Sequence, residues 1–335
     1  MKAVVVDRLD GPDALRVVDV ERPVPVPGRG EVAIDVAATA LNFMDTLITR
    51  GRYQIKPELP FSPGAECAGV VSAVGQDAAA SWQVGDRVMA YTGYGAARAT
   101  VIADAERLVR VPDTVPLTTA AGLTVTYGTA LYALATRCGL GGTDRDASTR
   151  KPVLAVLGAS GGAGQAAVEI GVLLGCDVIA CASSVERCER AIASGARRAI
   201  GYADADLKQT LREATDGAGP DLIYDCVGGP YAEPALRALR PGGDYIVIGF
   251  AAGDVPQLPA NIILLKDCTV HGIHWGADVE RRPAAHVGNM ERLLTAIADG
   301  HVAPRPPEVR PFEDAADAIR ALDARKVIGK IVLTP

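Results

Sequence analysis

No C-x-x-C pair occurs in the 335 residues, and the seven cysteines, at 67, 138, 176, 181, 188, 226 and 268, are odd in number. That argues against a closed disulfide framework and for reduced, mostly buried thiols. Histidine is scarce, with four at 271, 274, 286 and 301. The two in "HGIH" lie in an apolar, strand-like run where an i, i+3 spacing sends side chains to opposite faces, so no metal site is expected there. The 34 basic and 40 acidic residues are scattered, for a net charge of −6, with no basic block of the kind that binds phosphate backbones. Nucleic acid is therefore not expected as the main partner. No apolar stretch approaches the ~18–20 residues of a membrane span. The start, "MKAVVVDRLDG", meets charge and glycine too soon for a signal peptide, so a cytoplasmic chain without a membrane partner is expected.

What is present is apolar bulk and a change of rhythm. At 335 residues and 49% hydrophobic, the chain can bury a large core, and its length predicts two domains. Residues 1–125 hold short β-rich runs between Gly and Pro ("AVVVD", "EVAIDVAATAL", "CAGVVSAVG", "DRVMAY"), which predict a largely antiparallel, barrel-like domain. Over 126–262 strand and helix signals alternate: "PVLAVLGA" then "GQAAVEIGVLLG", "CDVIACAS" then "VERCERAIASG", "DLIYDCVG" then "YAEPALRALRPGG", then "DYIVIGF". This α/β pattern predicts a Rossmann-type doubly wound parallel sheet. Residues 263–335 return to mixed strand and helix, with a helix near 286–299, and are expected to complete the first domain. "LGGTDRDASTRK" (140–151) reads as an exposed polar loop.

"LGASGGAGQ" (157–165) sits between the strand "PVLAVLGA" and the helical "GQAAVEIGVLLG", the context in which a glycine cluster points to dinucleotide binding. Gly161 would let the backbone approach a pyrophosphate, Gly164 would let helix and strand pack closely, and the helix N-terminus would supply amide donors. Ala159 departs from the usual first glycine. The alternative is a tight strand-to-helix turn with no ligand. NAD sites place an acidic residue about 20 positions on, at the end of the second strand, to hold the ribose hydroxyls. Here "ACASSVER" offers Ser183, Ser184 and then Arg187, a setting suited to a 2′-phosphate, so NADPH is favoured as cofactor. Arg187 as an ordinary solvated helix residue is the competing reading.

Several runs together, "LGASGGAGQAA", "SSVER", "DCVGGPYAEPALRALRPGGDYIVIGF", "LPANIILLKDCTVHGIHWGA", "RKVIGKIVLTP", "ALNFMDTLITRGRY" and "PFSPGAECAGVVSAVG", resemble the zinc-independent quinone oxidoreductases of the medium-chain dehydrogenase/reductase superfamily. The resemblance covers nearly the whole chain. It implies a GroES-like catalytic domain formed by both chain ends, a cofactor domain, and an active site in the cleft between them. Ser183, Arg187 and Tyr202 fall on positions resembling the 2′-phosphate pocket. Asn42, Asp45 and Tyr53 match positions lining the substrate cleft, and Thr124 one near the nicotinamide. Further cofactor contacts are expected from Ser160, Gly162, Ala163, Val227, Phe250 and Lys330. Asn42 as a turn residue, Asp45 as a cap and Tyr53 as a half-buried ring are the plainer alternatives. The family also implies a homodimer, formed through "DCTVHGIHW" (267–275).

Zinc-dependent relatives take ligands from a cysteine in the segment matching "TALNFMD" and from the histidine of a Gly-His-Glu motif. This sequence has no cysteine there and Ala65 in the histidine position, which leaves Glu66 expected as a structural carboxylate without partners. Without a metal to stabilise an alkoxide, simple alcohol oxidation is disfavoured. A quinone or an alkene conjugated to a carbonyl (an enone) is the expected small-molecule substrate, since its conjugation spreads the charge delivered with hydride. Reduction of an acrylyl or enoyl thioester, or an NADPH-binding role with little turnover, remains open.

Overall fold

The computed structural model describes residues 1–19, 26–141, 150–202 and 206–335. Residues 142–149, the greater part of the expected polar loop, lie outside them. The chain forms two compact units, Met1–Gly128 with Gly276–Pro335, and Thr129–Trp275.

The second unit is built on a six-stranded parallel sheet, ordered Arg198–Gly201, Asp177–Ala182, Val153–Leu157, Leu222–Asp225, Asp244–Val247 and Thr269–Gly272. Strands such as "VLAVL" are apolar on both faces because both faces are covered, as parallel sheets require. Leu157, Ile179, Ile223 and Tyr245 form its core with Leu236 and Leu239. The helix Gly162–Leu173 carries Ala166, Ala167 and Ile170 inward. Small residues let it lie close to the sheet. Strand order reverses beside Val153–Leu157, so the loops after this strand and after Leu222–Asp225 flank the switch point where such sheets bind ligands.

Two details depart from the sequence reading. Arg198–Gly201, too short and polar to read as a strand, adds a sixth member by pairing with Asp177–Ala182. Thr269–Gly272 was expected with the first domain but pairs parallel to Asp244–Val247, so the chain leaves this unit after Trp275 and not at 262. Periodicity cannot show which sheet a short strand joins; the register can.

The first unit holds a seven-stranded, mainly antiparallel sheet and a two-stranded one pairing Lys2–Val6 with Leu15–Asp19. Its long strand Glu31–Leu41 pairs with Glu66–Val74, Thr100–Asp104 and Ile331–Thr334. The register sets Leu41 opposite Ile331 and Ala40 opposite Glu66. Residues distant in sequence, Asn42, Glu66 and Lys330, therefore meet at one end of three adjacent strands.

Candidate functional site

Each unit carries a polar constellation. In the first, Asn42 ends the strand Glu31–Leu41 and caps the helix Phe43–Ile48. Asp45, 1% exposed, accepts hydrogen bonds from the backbone N–H of Asn42 at 2.7 Å and of Gly64 at 2.8 Å. Burial raises its pKa to about 6, opposed by those two N–H groups and by Lys330. Tyr53 packs by its ring against Val6, Ile48 and Phe61. Burial, and then the neighbouring Asp45 carboxylate, raise its phenol pKa, keeping the hydroxyl a donor.

Glu66, expected to stand without partners, has them on both oxygens. Its Oε1 accepts from Asn42 Nδ2 at 2.9 Å and Lys330 Nζ at 2.7 Å, and its Oε2 accepts from the Val125 backbone N–H at 2.8 Å. The side chain is fully buried, where an ionised carboxylate persists only if paired and hydrogen-bonded. The sequence offered no sign of this, because the pairing crosses 264 residues. Lys330, expected at the cofactor, also donates to Asn42 Oδ1 at 2.8 Å and Leu41 O at 3.4 Å. Next to Val125, Thr124 is 1% exposed and its Oγ1 has no hydrogen-bond partner among the described residues. A buried hydroxyl in this state is a place for a ligand's polar group.

In the second unit, Gly161 caps the helix Gly162–Leu173, with Ala163 in its first turn. A Cβ on Gly164 would lie 2.1 Å from Gly158 O, so glycine is demanded by the fold there. On Gly161 it would meet only Gly158 O, at 3.6 Å, so this stretch of backbone is open to an approaching group. Those features, with a helix N-terminus behind them, fit a pyrophosphate. Arg187 Nη1 donates to Ser160 Oγ at 2.9 Å, which brings the guanidinium to the glycine turn. Ser184 caps the helix Val185–Ala193, and Ser183 is exposed beside it. Tyr202 sits with its ring centroid 4.6 Å from that of Tyr231. Burial first, then Tyr231, push its pKa to about 12, while Arg187 pulls it down.

The loop after Leu222–Asp225 is fixed by Asp225, which sequence reasoning missed. It accepts from the N–H of Val227 at 2.8 Å and of Gly228 at 2.9 Å, and from Tyr245 Oη at 2.6 Å. Val227 is buried, and Phe250 flanks Gly228 closely enough that a Cβ there would lie 2.9 Å from the ring. A strand-ending Asp before "CVGG" was the available signal. His271, the first histidine of "HGIH", has Nε2 2.8 Å from Asp244 Oδ1. Cys138 joins these two, with one ligand-type atom from each residue all within 4.8 Å of one another.

Residues 28–113 match the alcohol dehydrogenase GroES-like domain, and residues 162–289 the zinc-binding dehydrogenase domain. The fold and its site define a medium-chain dehydrogenase/reductase. Quinone oxidoreductase-like protein 2 of Bos taurus is 33% identical over 91% of this chain and 85% of that protein. A mycobacterial structure complexed with NADPH is 30% identical, with a TM-score of 0.87 over 100% of both chains. Escherichia coli quinone oxidoreductase complexed with NADPH is 26% identical, with a TM-score of 0.88 over 100% of both chains. The chain belongs to the zinc-independent quinone oxidoreductase family of the medium-chain dehydrogenase/reductases.

Proposed function

We infer that this protein is an NADPH-dependent reductase of quinones or of alkenes conjugated to a carbonyl. The observation that carries the cofactor choice is the end of the second parallel strand, where serines and Arg187 stand in place of a carboxylate and the guanidinium reaches Ser160 beside the glycine turn. A 2′-phosphate finds there a charge-assisted partner, while a bare ribose hydroxyl lacks the carboxylate it needs. The NADPH complexes of two family structures support the same reading. Bound NADPH supplies a hydride equivalent, and solvent supplies the proton that completes the two-electron reduction.

The chain's own residues hold and polarise. Gly161 and the helix N-terminus receive the pyrophosphate, and Thr124 Oγ1 offers a hydrogen bond to a cofactor amide. Asn42 and the Tyr53 hydroxyl face the acceptor and donate to its carbonyl oxygen as charge develops on it. The test is a panel of quinones, enones and enoyl thioesters with NADPH, followed by loss of the reduced nicotinamide absorbance. Oxidation with quinones or enones is expected. If none of the panel is turned over while NADPH still binds, the protein is a cofactor-binding protein instead.

A second copy is proposed at the edge of the parallel sheet. Thr269–Gly272 ends the strand order, and Leu264 and Leu265, in the helix Ala260–Lys266 that precedes it in the chain, are 77% and 74% exposed. Pairing would cover this apolar edge. Light scattering at micromolar concentration should give a dimeric mass.

A further inference from the structure

We propose that Glu66 and Lys330 are positioning residues which lock the Asn42 side-chain amide in one orientation and leave it a single hydrogen-bond donor for the acceptor's carbonyl oxygen. This rests on the reading above that Asn42 faces the acceptor.

An asparagine amide has an acceptor end and a donor end of nearly the same shape, and its neighbours decide which way it sits. Here both ends are decided by charge. Lys330 Nζ donates to Oδ1 at 2.8 Å, and Nδ2 donates one hydrogen to Glu66 Oε1 at 2.9 Å. Flipping the amide would set NH2 against the ammonium and a carbonyl oxygen against the carboxylate, exchanging two charge-assisted bonds for two repulsions. The ammonium on Oδ1 also draws density from the amide nitrogen, which strengthens the second Nδ2–H as a donor.

The frame holding these charges is itself fixed. Glu66 is fully buried and anchored through Oε2 by the Val125 N–H, while the Lys330 side chain is only 13% exposed. Gly122 clears the path of the lysine stem, since a Cβ there would lie 3.1 Å from Lys330 Cε. The Glu66–Lys330 pair has no donor or acceptor aimed at substrate chemistry of its own: the ammonium has three acceptors and both carboxylate oxygens are occupied. Its effect on the reaction passes through Asn42.

The experiment compares Asn42→Ala, Glu66→Gln, Lys330→Met and the double variant Glu66→Gln/Lys330→Met. Each is measured for NADPH Kd, thermal stability, and kcat and KM with the best acceptor. Glu66→Gln should lower kcat about 10- to 30-fold, since the loss of one charge-assisted bond is of that order, with NADPH Kd nearly unchanged. The acceptor KM should move much less than kcat, because the amide that the pair holds acts on charge that develops in the reaction. The double variant, with no buried unpaired charge, should regain the stability lost by either single variant but not the kcat. If the double variant regains both, if neither single variant changes kcat, or if the loss falls on acceptor KM and not on kcat, the positioning role is overturned. If Asn42→Ala itself keeps full kcat, the acceptor-site reading fails and this inference fails with it. Loss with Asn42→Ala but not with the other three overturns the positioning role alone.

Discussion

At the polar cluster of the first unit the strong groups answer one another: the Glu66 carboxylate takes the Lys330 ammonium, the Asn42 amide and the Val125 N–H. At the glycine turn of the second unit the chain offers mostly backbone, together with Ser160 and one guanidinium. The first arrangement keeps its geometry by internal charge. The second gains most from a ligand that brings its own negative charge to amide donors and Arg187. A site that stabilises charge appearing only during reaction needs its donors fixed in advance, whereas a site for a permanently charged cofactor can rely on that charge.

The two glycines of the turn test this comparison most sharply, because the fold demands one and the proposed pyrophosphate contact uses the other. Gly164→Ala puts a methyl group 2.1 Å from Gly158 O, a backbone atom that cannot swing aside. Overpacking of this kind should cost about 3 kcal/mol and displace the helix N-terminus, so both thermal stability and NADPH affinity should fall, the latter about 100-fold. Gly161→Ala meets nothing nearer than 3.6 Å in the protein, so its melting temperature should stay near wild type while NADPH affinity falls about 10-fold. Calorimetry and cofactor titration on the pair separate the roles; equal stability losses would mean that Gly161 is also a packing glycine.

The first unit's cluster has a pH signature in Asp45. Burial lifts the Asp45 pKa from 3.8 to about 6. A raised folded-state value means that the fold holds this proton more tightly than the unfolded chain. The favourable contribution is fully present below about pH 4 and is lost as pH rises through about 6, amounting to about 3 kcal/mol. The stability difference between wild type and Asp45→Asn should therefore change between pH 4 and 6.5 and be flat above. A constant difference across that range would mean that Asp45 titrates normally.

The second unit was far more legible than the first. The strand, the glycine turn and the helix follow one another without a break from Val153 to Leu173, so the pattern that points to a dinucleotide is local, and Arg187 comes in the next helix. Asn42, Glu66 and Lys330 carry no such pattern. Each was visible only as a position matched to a family, and Glu66 was assigned no partners, because their contact depends on the register of three strands drawn from both ends of the chain. Thr269–Gly272 was misplaced for the same reason. Strand identity is local, whereas sheet membership is a long-range fact.

Arg187→Ala sharpens the contrast at intermediate size. A guanidinium can grip a phosphate through two parallel bonds, while NADH offers it only a hydroxyl. Losing a bond to a charged group costs about 1.5–3 kcal/mol, so NADPH should bind about 10- to 100-fold more weakly and NADH almost unchanged. Ser183 and Tyr202 should keep part of the preference, and added salt should narrow the wild-type gap. Equal losses for both cofactors would assign Arg187 to the fold.

The smallest expected effect is at Tyr53, which lies in the same unit as the locked amide but is held differently. Its ring is kept by Val6, Ile48 and Phe61, all apolar, and Tyr53→Phe preserves that packing. Only the hydroxyl is lost. Burial and the Asp45 charge both hold the phenol pKa up, so the group donates a neutral hydrogen bond throughout the working range and never becomes a phenolate. A neutral bond contributes about 1 kcal/mol, against the larger value of a donor polarised by neighbouring charges, so kcat/KM should fall about 5-fold where Asn42→Ala loses about 100-fold. NADPH Kd and melting temperature should not move. If Tyr53→Phe costs as much as Asn42→Ala, the two donors act on the acceptor as equals and the charge lock on Asn42 adds nothing; if it costs nothing, the acceptor does not reach Tyr53.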